Sequence, residues 1–332
     1  MGQWSVAALY VAGLIGAGFA SGQELVVFFV KYGRSGLMGI AWATALLTLG
    51  TTLVLKLSTQ RGTTSYRDLF NHLDQGFATF FDWLYTVFLL IGTSVMVAGM
   101  GALGDTLLLS LTLRIGSCLL IFITIQRGAL GVGRTSTYLA PLLVLLLCTI
   151  AIQHLFTVGI QLPVHRTWSA LEGGTLYASY NLGFSMALLA SVSSYLRTAR
   201  ERWTVALVSN LVLGACMVLL FLALSTLPPE ALHSALPLEN LARSKGSLAL
   251  GIYRIMLFLA MYSTSLTNSL ALVSRVSNLP NFTWKKANLI SVSLALVLSS
   301  LGFGNLVRFA YPILGLAALW TLAGLLRTTV RS

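Results

Sequence analysis

Charged side chains are scarce in this chain of 332 residues, since Asp, Glu, Lys and Arg together account for 9% of it. Soluble globular proteins carry about 25% charged residues, so a soluble domain of this composition would expose wide apolar areas to water. Hydrophobic residues make up 56%, and the mean hydropathy is +0.84. The composition excludes a soluble domain and a disordered chain, and it predicts an integral membrane protein.

Cysteines and acidic residues are also few. The three cysteines lie in apolar runs without a CxxC pair, so the sequence offers no disulfide framework. Nine Asp and Glu residues stand against 21 Lys and Arg residues, which gives a net charge of +12. Because cytoplasmic loops of membrane proteins collect Lys and Arg, this excess needs no nucleic acid to explain it. We therefore expect the lipid bilayer, and no nucleic acid, as a partner.

Long apolar runs separated by charged or Gly/Pro-rich segments predict an all-α protein with ten transmembrane helices. The predicted spans are 4–30, 36–57, 77–109, 113–127, 136–157, 171–196, 203–226, 246–275, 287–302 and 305–326. With the N-terminus inside, more of the Lys and Arg residues fall on the inner side. The positive-inside rule then predicts a multi-pass protein with both termini in the cytoplasm.

The ten predicted spans divide into two nearly equal halves, 1–160 and 161–332, with five spans in each. Because five is an odd number, the second half enters the membrane in the opposite orientation. In both halves the first span is interrupted by glycine or polar residues, which predicts discontinuous helices 1 and 6. Such an arrangement is typical of inverted-repeat transporters, whose substrate site lies where the discontinuous helices meet.

The first span carries four glycines, Gly13, Gly16, Gly18 and Gly22, within ten residues. Each costs about 1 kcal/mol in a helix interior relative to alanine. Unwound backbone in a membrane is tolerated only beside a cavity or a ligand. The alternative is that the glycines allow close helix packing. We favour a substrate site, with a half-helix near Ser21 aimed at an anionic group, formed by Gly16, Ala17, Gly18, Phe19, Ala20, Ser21 and Gly22.

The sixth span has a matching polar run over 172–185, and we expect its break between Tyr180 and Phe184, where Asn181 and Gly183 would free backbone groups. Tyr180, Asn181, Gly183 and Phe184 are therefore predicted to bind substrate, and Thr93 of the third span is added to the same site. Tyrosines near the end of a span can instead belong to the interfacial belt.

The run Gly16-Ala17-Gly18-Phe19-Ala20-Ser21-Gly22-Gln23-Glu24, together with Tyr180-Asn181-Leu182, resembles the YkvI-like family of bacterial membrane proteins. These are permeases of the amino acid–polyamine–organocation superfamily with a LeuT-type fold. The resemblance covers most of the chain in layout, while its specific motifs lie in spans one, six and eight. It implies a five-plus-five inverted repeat in the bacterial inner membrane, and sodium- or proton-coupled uptake of an amino acid or related amine.

Glu24 is predicted to lie deep in the first span, where a charge costs about 2.5–3.5 kcal/mol on insertion scales and usually serves an ion or substrate path. It can accept a proton, hold a substrate ammonium or pair with a cation. We expect Glu24 to pair with Arg254 or Arg308 as an outer gate. The alternative is that both arginines extend to the outer headgroups.

The eighth span contains adjacent hydroxyls at Ser263 and Thr264. In LeuT-like transporters, paired hydroxyls at this depth form a sodium site with the break of the first helix. The resemblance therefore implies a sodium site made of Ser263, Thr264 and the carbonyl groups of Gly13 and Gly16. Hydroxyls that bond only to their own helix are the alternative.

These features predict a secondary active transporter that works by alternating access on a small amino acid or amine. A sensor or receptor subunit with the same fold that does not transport is the alternative. No HExxH, P-loop or GxSxG pattern is present, and the GxGxxG run at 99–104 lies inside an apolar helix rather than after a strand. We expect no enzymatic activity, no cofactor and no metal ion other than Na⁺ as a coupling ion. The sequence leaves monomer and homodimer open.

Overall fold

The computed structural model describes residues 2–62, 75–127, 132–162 and 167–330, and every regular element within these ranges is helical. The α-helices are α1 (Gln3–Leu14), α2 (Ala17–Ser21), α3 (Gln23–Phe28), α4 (Gly36–Arg61), α5 (Gln75–Ala102), α6 (Leu107–Gln126), α7 (Val132–Val158), α8 (Ser169–Val192), α9 (Ala199–Leu224), α10 (Pro229–Leu232), α11 (Pro237–Arg243), α12 (Ser247–Val276), α13 (Trp284–Ser299), α14 (Phe303–Asn305) and α15 (Tyr311–Val330). Two 3₁₀ segments, Val30–Ser35 and Ser193–Tyr195, and one π-helical segment, Leu306–Ala310, complete the order.

Six helical segments in the described part of the chain are long and apolar enough to cross a membrane. They are Val30–Arg61, Thr79–Ala102, Leu107–Gln126, Ala199–Leu224, Ser247–Val276 and Phe303–Trp320. Each of the ten predicted spans overlaps a helix, so the all-helical class is confirmed, while the count of ten crossings stays a prediction.

The outer surface of the bundle is apolar. Leu107, Phe156 and Trp320 are 79%, 88% and 70% exposed, which suits a surface covered by lipid rather than water. Inside the bundle, α4 packs along α8, α5 along α12, and α15 along α8. These packed pairs hold the helices that surround the cavity described below.

The first span is divided into three short helices. Helix α1 ends at Leu14, Gly16 is extended with φ −81° and ψ −179°, and the helix resumes at Ala17. At Gly22 the backbone has φ +86°, a conformation that glycine adopts without steric cost. A Cβ there would lie 2.8 Å from Cγ of Leu238, so this position also needs glycine for close packing.

The predicted break in the sixth span is wrong, because α8 continues without interruption from Ser169 to Val192. Asn181 Nδ2 donates to the carbonyl of Tyr177 one turn earlier, at 3.0 Å, which uses the side chain within the helix. A Cβ on Gly183 would lie 3.1 Å from both Phe88 and Ala318. Gly183 therefore serves close packing, and the predicted substrate contact at this residue is replaced by a helix contact.

The predicted third span, 77–109, is too long, because α5 ends at Ala102 and α6 begins at Leu107. Thr106 caps α6 by accepting a hydrogen bond from the amide of Leu109, at 3.2 Å. This places Asp105 in the connection between the two helices. Within α5, a Cβ on Gly99 would lie 2.6 Å from Cε of Met261, so the GxGxxG run provides close helix packing.

Candidate functional site

A cavity of about 310 Å³ lies where α1, α2 and α3 meet α5, α8, α12 and α15. This volume is at the lower end of the range for small-molecule sites. The lining residues among those described are Leu9, Ala12, Gly13, Leu14, Gly16, Gly18, Glu24, Gly92, Met96, Tyr180, Asn181, Phe184, Ser185, Leu188, Thr264, Thr267, Asn268 and Tyr311.

Glu24, in the first turn of α3, reaches this cavity and is 5% exposed. Tyr180 Oη donates a hydrogen bond to Glu24 Oε2, at 2.5 Å, and so joins α3 to the middle of α8. A Cβ on Gly18 would lie 2.9 Å from the carboxyl carbon of Glu24 and closer still to Oε1. The carboxyl group therefore rests directly on the backbone of α2, at a position that only glycine leaves open.

Three aromatic rings form one wall of the cavity beside Glu24. The ring centroid of Tyr180 lies 4.9 Å from that of Tyr311 and 6.2 Å from that of Phe184. Phe28 stacks on Tyr180 from behind, at 5.4 Å between centroids. Since each such pair contributes about 0.5–1.5 kcal/mol beyond its buried area, the cluster fixes the ring that holds Glu24.

The predicted ion pairs of Glu24 with Arg254 or Arg308 are absent from the described structure. Arg254 instead donates to both oxygens of Asp105, at 2.9 and 2.7 Å, and to Glu239, at 2.7 Å. The hydrogen bonds from Arg254 lower the pKa of the Asp105 carboxyl. Arg308 is exposed, with its guanidinium 5.9 Å from the ring centroid of Phe309. The predicted pairing is wrong because Asp105 and Glu239 already supply the acidic partners of Arg254.

The end of the cavity near α2 and α3 is covered by the segment that contains α11. Leu238 packs against Gly22, and Gln23 Nε2 donates to the carbonyl of Ser234 at 2.8 Å. From α12, Tyr253 Oη donates to the carbonyl of Ala20 at 3.0 Å. These contacts close the side of the cavity on which Arg254 and Asp105 lie.

The other end of the cavity is more open. Gly13 of α1 and Thr267 of α12 are exposed, whereas Glu24 and Tyr180 are buried. Exposure therefore increases from the carboxyl group of Glu24 toward the N-terminal half of α1. With α11 covering the opposite side, the cavity has one closed and one open end.

The structure brings some of the predicted substrate residues to the cavity and leaves others outside it. Gly16, Gly18, Tyr180, Asn181 and Phe184 contribute to the lining. Phe19, Ala20, Ser21 and Gly22 are buried but contribute no lining. Ala17 begins α2, and its side chain lies outside the described part of the structure.

Thr93 is also directed away from the cavity. Its Oγ1 donates to the carbonyl of Leu89 at 2.9 Å and contacts Ser269 Oγ at 3.4 Å. A half-helix does begin near Ser21, since α3 starts at Gln23, but the Oγ of Ser21 accepts the amide hydrogen of Gln23 at 3.1 Å. Binding of an anionic group there stays a prediction.

Three of the four predicted sodium ligands line the cavity, namely Gly13, Gly16 and Thr264. Ser263 is 6% exposed and lies outside the lining, because adjacent residues on a helix face directions about 100° apart. The carbonyl and hydroxyl oxygens of the three lining residues are hard donors of the kind that suits Na⁺. Sodium binding stays a prediction.

Several lining residues were missed by the sequence prediction, among them Gly92, Asn268 and Tyr311. Asn268 lies one helical turn after Thr264, and a Cβ on Gly92 would lie 2.7 Å from its Nδ2. A polar residue four positions from Thr264 was a signal that pointed to Asn268. Gly92 lies in a continuous apolar run from which the side of the helix that faces the cavity could not be read.

No family model matches the chain. The membrane protein YkvI of Bacillus subtilis strain 168 is 26% identical to it, over 97% of this chain and 94% of that protein. YyaD of the same organism is 28% identical, over 96% of this chain and 94% of that protein.

Solved structures of membrane transporters share the fold. The inward facing conformation of Mhp1 superposes with a TM-score of 0.73 at 14% identity, covering 96% of this chain and 73% of that chain. A variant of the Eremococcus coleocola manganese transporter superposes with a TM-score of 0.63 at 13% identity, covering 97% of this chain and 78% of that chain. MhsT in complex with L-phenylalanine superposes with a TM-score of 0.60 at 14% identity, covering 96% of this chain and 98% of that chain.

These structures are transporters rather than enzymes, and the two Bacillus proteins match along nearly their whole length. Together with the helical arrangement around the cavity, these similarities show that the chain resembles the two Bacillus membrane proteins along nearly its whole length and shares the LeuT-type fold of the solved transporters.

Proposed function

We propose that this protein is a secondary active transporter that takes up a small amino acid or related amine by alternating access. The observation that carries the proposal is the cavity itself. It reaches the interruption between α1 and α2, touches the middle of α8, and contains the buried carboxyl group of Glu24. Interrupted helices inside a membrane expose backbone groups, and transporters use such places to bind substrate and coupling ions.

The closed and open ends of the cavity support alternating access. The contacts of Leu238 with Gly22 and of Gln23 with Ser234 form one closure. In the transport cycle these contacts separate, and the helices near Gly13 and Thr267 close in their place. In this proposal, 1–160 and 161–332 are two five-helix repeats of opposite orientation. We propose that the chain crosses the membrane ten times, with both termini in the cytoplasm of a bacterial cell and α11 outside.

The coupling ion in this proposal is Na⁺ or a proton. Carbonyl groups of Gly13 and Gly16, the hydroxyl of Thr264 and the neighbouring Ser263 would hold Na⁺, whereas Glu24 would accept a proton. Moving one positive charge across 100 mV supplies about 2.3 kcal/mol. At about 1.4 kcal/mol per tenfold concentration ratio, this sustains a roughly fifty-fold substrate gradient.

Uptake into proteoliposomes with an inside-negative potential tests the proposal. Labelled amino acids and amines are offered with external sodium, with potassium in its place, and across a range of pH. We expect saturable accumulation above the external concentration. Accumulation that requires sodium and is lost in Thr264→Ala supports the sodium site, whereas indifference to sodium refutes it.

Two results would contradict the proposal. Thermal stabilisation by a substrate without any accumulation would indicate a sensor or receptor subunit. Flux that never saturates would indicate a channel. Glu172→Gln is a matched control, because Glu172 is an exposed acid on α8 outside the lining, and we expect this variant to accumulate substrate like the wild type.

A further inference from the structure

We infer that the cavity selects an organic ammonium ion that lacks a carboxylate, with Glu24 as its counter-ion. The inference rests on the proposed function of the cavity as a substrate site and concerns the chemical class of that substrate. It depends on four properties of the lining: its charge, the free oxygen of Glu24, its aromatic wall, and the donors that are already used.

Glu24 is the one Asp or Glu side chain in the described lining, which contains no Lys, Arg or His. Arg254 pairs with Asp105 and Glu239, and Arg308 is exposed. A buried carboxylate without a cationic partner is costly in a region of low dielectric constant. A ligand that brings its own positive charge offsets part of that cost.

One oxygen of Glu24 remains open to such a ligand. Oε2 accepts the hydrogen bond from Tyr180, while Oε1 rests on the backbone at Gly18 and receives no hydrogen bond within the described part of the chain. Because Glu24 lines the cavity, an ammonium group can donate to Oε1 while Tyr180 keeps its bond to Oε2.

The aromatic wall favours the same ligand. The rings of Tyr180, Phe184 and Tyr311 lie within 6.2 Å of one another and all line the cavity. Aromatic faces attract ammonium groups through their quadrupole, and desolvation strengthens this attraction. Leu9, Leu14 and Leu188 extend the lining with apolar surface for an alkyl or aryl body.

The lining offers little to a carboxylate. Asn181 Nδ2, Ser185 Oγ and Thr267 Oγ1 each donate to a backbone carbonyl of their own helix. The amide of Gln23 at the start of α3 is capped by Ser21. Thr264, Asn268 and Tyr311 supply neutral groups only. A zwitterionic amino acid would therefore bring a negative charge to a lining that holds no cationic side chain, close to the carboxyl group of Glu24.

Matched ligands that differ only in the carboxylate test this inference. The purified full-length protein is titrated in detergent at constant sodium with phenethylamine and L-phenylalanine, and with 3-methylbutylamine and L-leucine. The alcohol 2-phenylethanol serves as the uncharged analogue. We expect both amines to raise the unfolding temperature at concentrations at least about tenfold lower than those needed with the amino acids or the alcohol.

Glu24→Gln keeps the size of the side chain and removes its charge, so we expect it to weaken amine binding by about ten- to hundredfold. Glu172→Gln leaves amine binding unchanged. If Glu24→Gln does not fold, the comparison of phenethylamine with 2-phenylethanol on the wild type still measures the contribution of the charge. Equal or tighter binding of either amino acid, equal binding of the alcohol, or an unchanged affinity in Glu24→Gln overturns the inference.

Uptake measurements separate this inference from the proposed function. Amines that bind but do not accumulate in proteoliposomes refute the transporter and leave the ammonium site standing. Amino acids that accumulate while amines neither bind nor compete refute the ammonium site and leave the transporter standing.

Discussion

Replacement of Gly18 by alanine introduces a methyl group at the place where the Glu24 carboxyl group rests. The new Cβ would lie 2.9 Å from the carboxyl carbon and closer still to Oε1, so the side chain of Glu24 must move. Because Tyr180 holds Oε2 at 2.5 Å, this movement strains or breaks that hydrogen bond. The variant therefore tests whether the contact between α2, α3 and α8 organises the cavity.

Two physical effects set the expected magnitude. Adding a methyl group to a well-packed interior costs about 1–3 kcal/mol, and a hydrogen bond to a charged group contributes about 1.5–3 kcal/mol. Since the methyl group and the lost bond act on the same contact, they do not add fully. We expect Gly18→Ala to lower the free energy of unfolding by about 1–3 kcal/mol and to weaken ligand binding by at least about tenfold.

Gly16→Ala is the matched control for this variant. Gly16 also lines the cavity, but a Cβ there meets no atom within 4 Å, and its φ of −81° suits any residue. We expect the free energy of unfolding of Gly16→Ala to lie within about 1 kcal/mol of that of the wild type. Thermal unfolding in detergent, with and without ligand, measures both variants. A Gly18→Ala protein with wild-type stability and affinity would refute the contact between Gly18 and Glu24.

Three further predictions concern the remaining contacts. Arg254→Gln leaves Asp105 and Glu239 without their shared partner, so we expect thermal unfolding to show a loss of about 1–3 kcal/mol in the free energy of unfolding. Arg243 also pairs with Glu239, but its side chain is 56% exposed, so we expect Arg243→Gln to cost less than about 1 kcal/mol. Equal effects of the two substitutions would contradict the central position of Arg254. Because the pKa of Asp105 is lowered in the folded protein, its ion pair stabilises the fold above the ordinary Asp pKa of about 3.9 and stops doing so as the pH falls below it. We therefore expect Asp105→Asn to lower the free energy of unfolding by at most about 1 kcal/mol at neutral pH, and by less in acid. A difference in stability that grows in acid would contradict this. Cys148 and Cys216 lie with their Sγ atoms 4.0 Å apart, so we expect copper phenanthroline to oxidise them to a disulfide between α7 and α9. Mass spectrometry detects this disulfide, and Cys148→Ser prevents it. Two thiols that stay free would contradict the packing of these helices.

The interruption of the first span was readable from the sequence because its cause is local. Gly13, Gly16, Gly18 and Gly22 lower helix propensity within ten residues, and the helix ends within this run. The same reasoning failed for the sixth span. There Asn181 bonds within the helix and Gly183 packs against Phe88 and Ala318. Glycine and asparagine in a span therefore indicate a break only where no neighbouring helix accounts for them.

The partners of Arg254 could not be read from the sequence. Glu239 and Asp105 are 15 and 149 residues away from it, and only the path of the chain brings them together. The sequence also did not show which side of each helix faces the cavity. Thr264 lines it and Ser263 does not, and Tyr311 reaches it from a predicted span in which nothing marked this residue.

The most direct test of whether the Glu24 cavity is a transport site measures the accumulation of labelled phenethylamine in proteoliposomes with an inside-negative potential. The wild type, Glu24→Gln and Glu172→Gln are compared. We predict that the wild type and Glu172→Gln concentrate the amine above its external level and that Glu24→Gln does not. Accumulation in Glu24→Gln equal to that of the wild type, or a wild type in which L-phenylalanine accumulates and phenethylamine does not, would contradict this account.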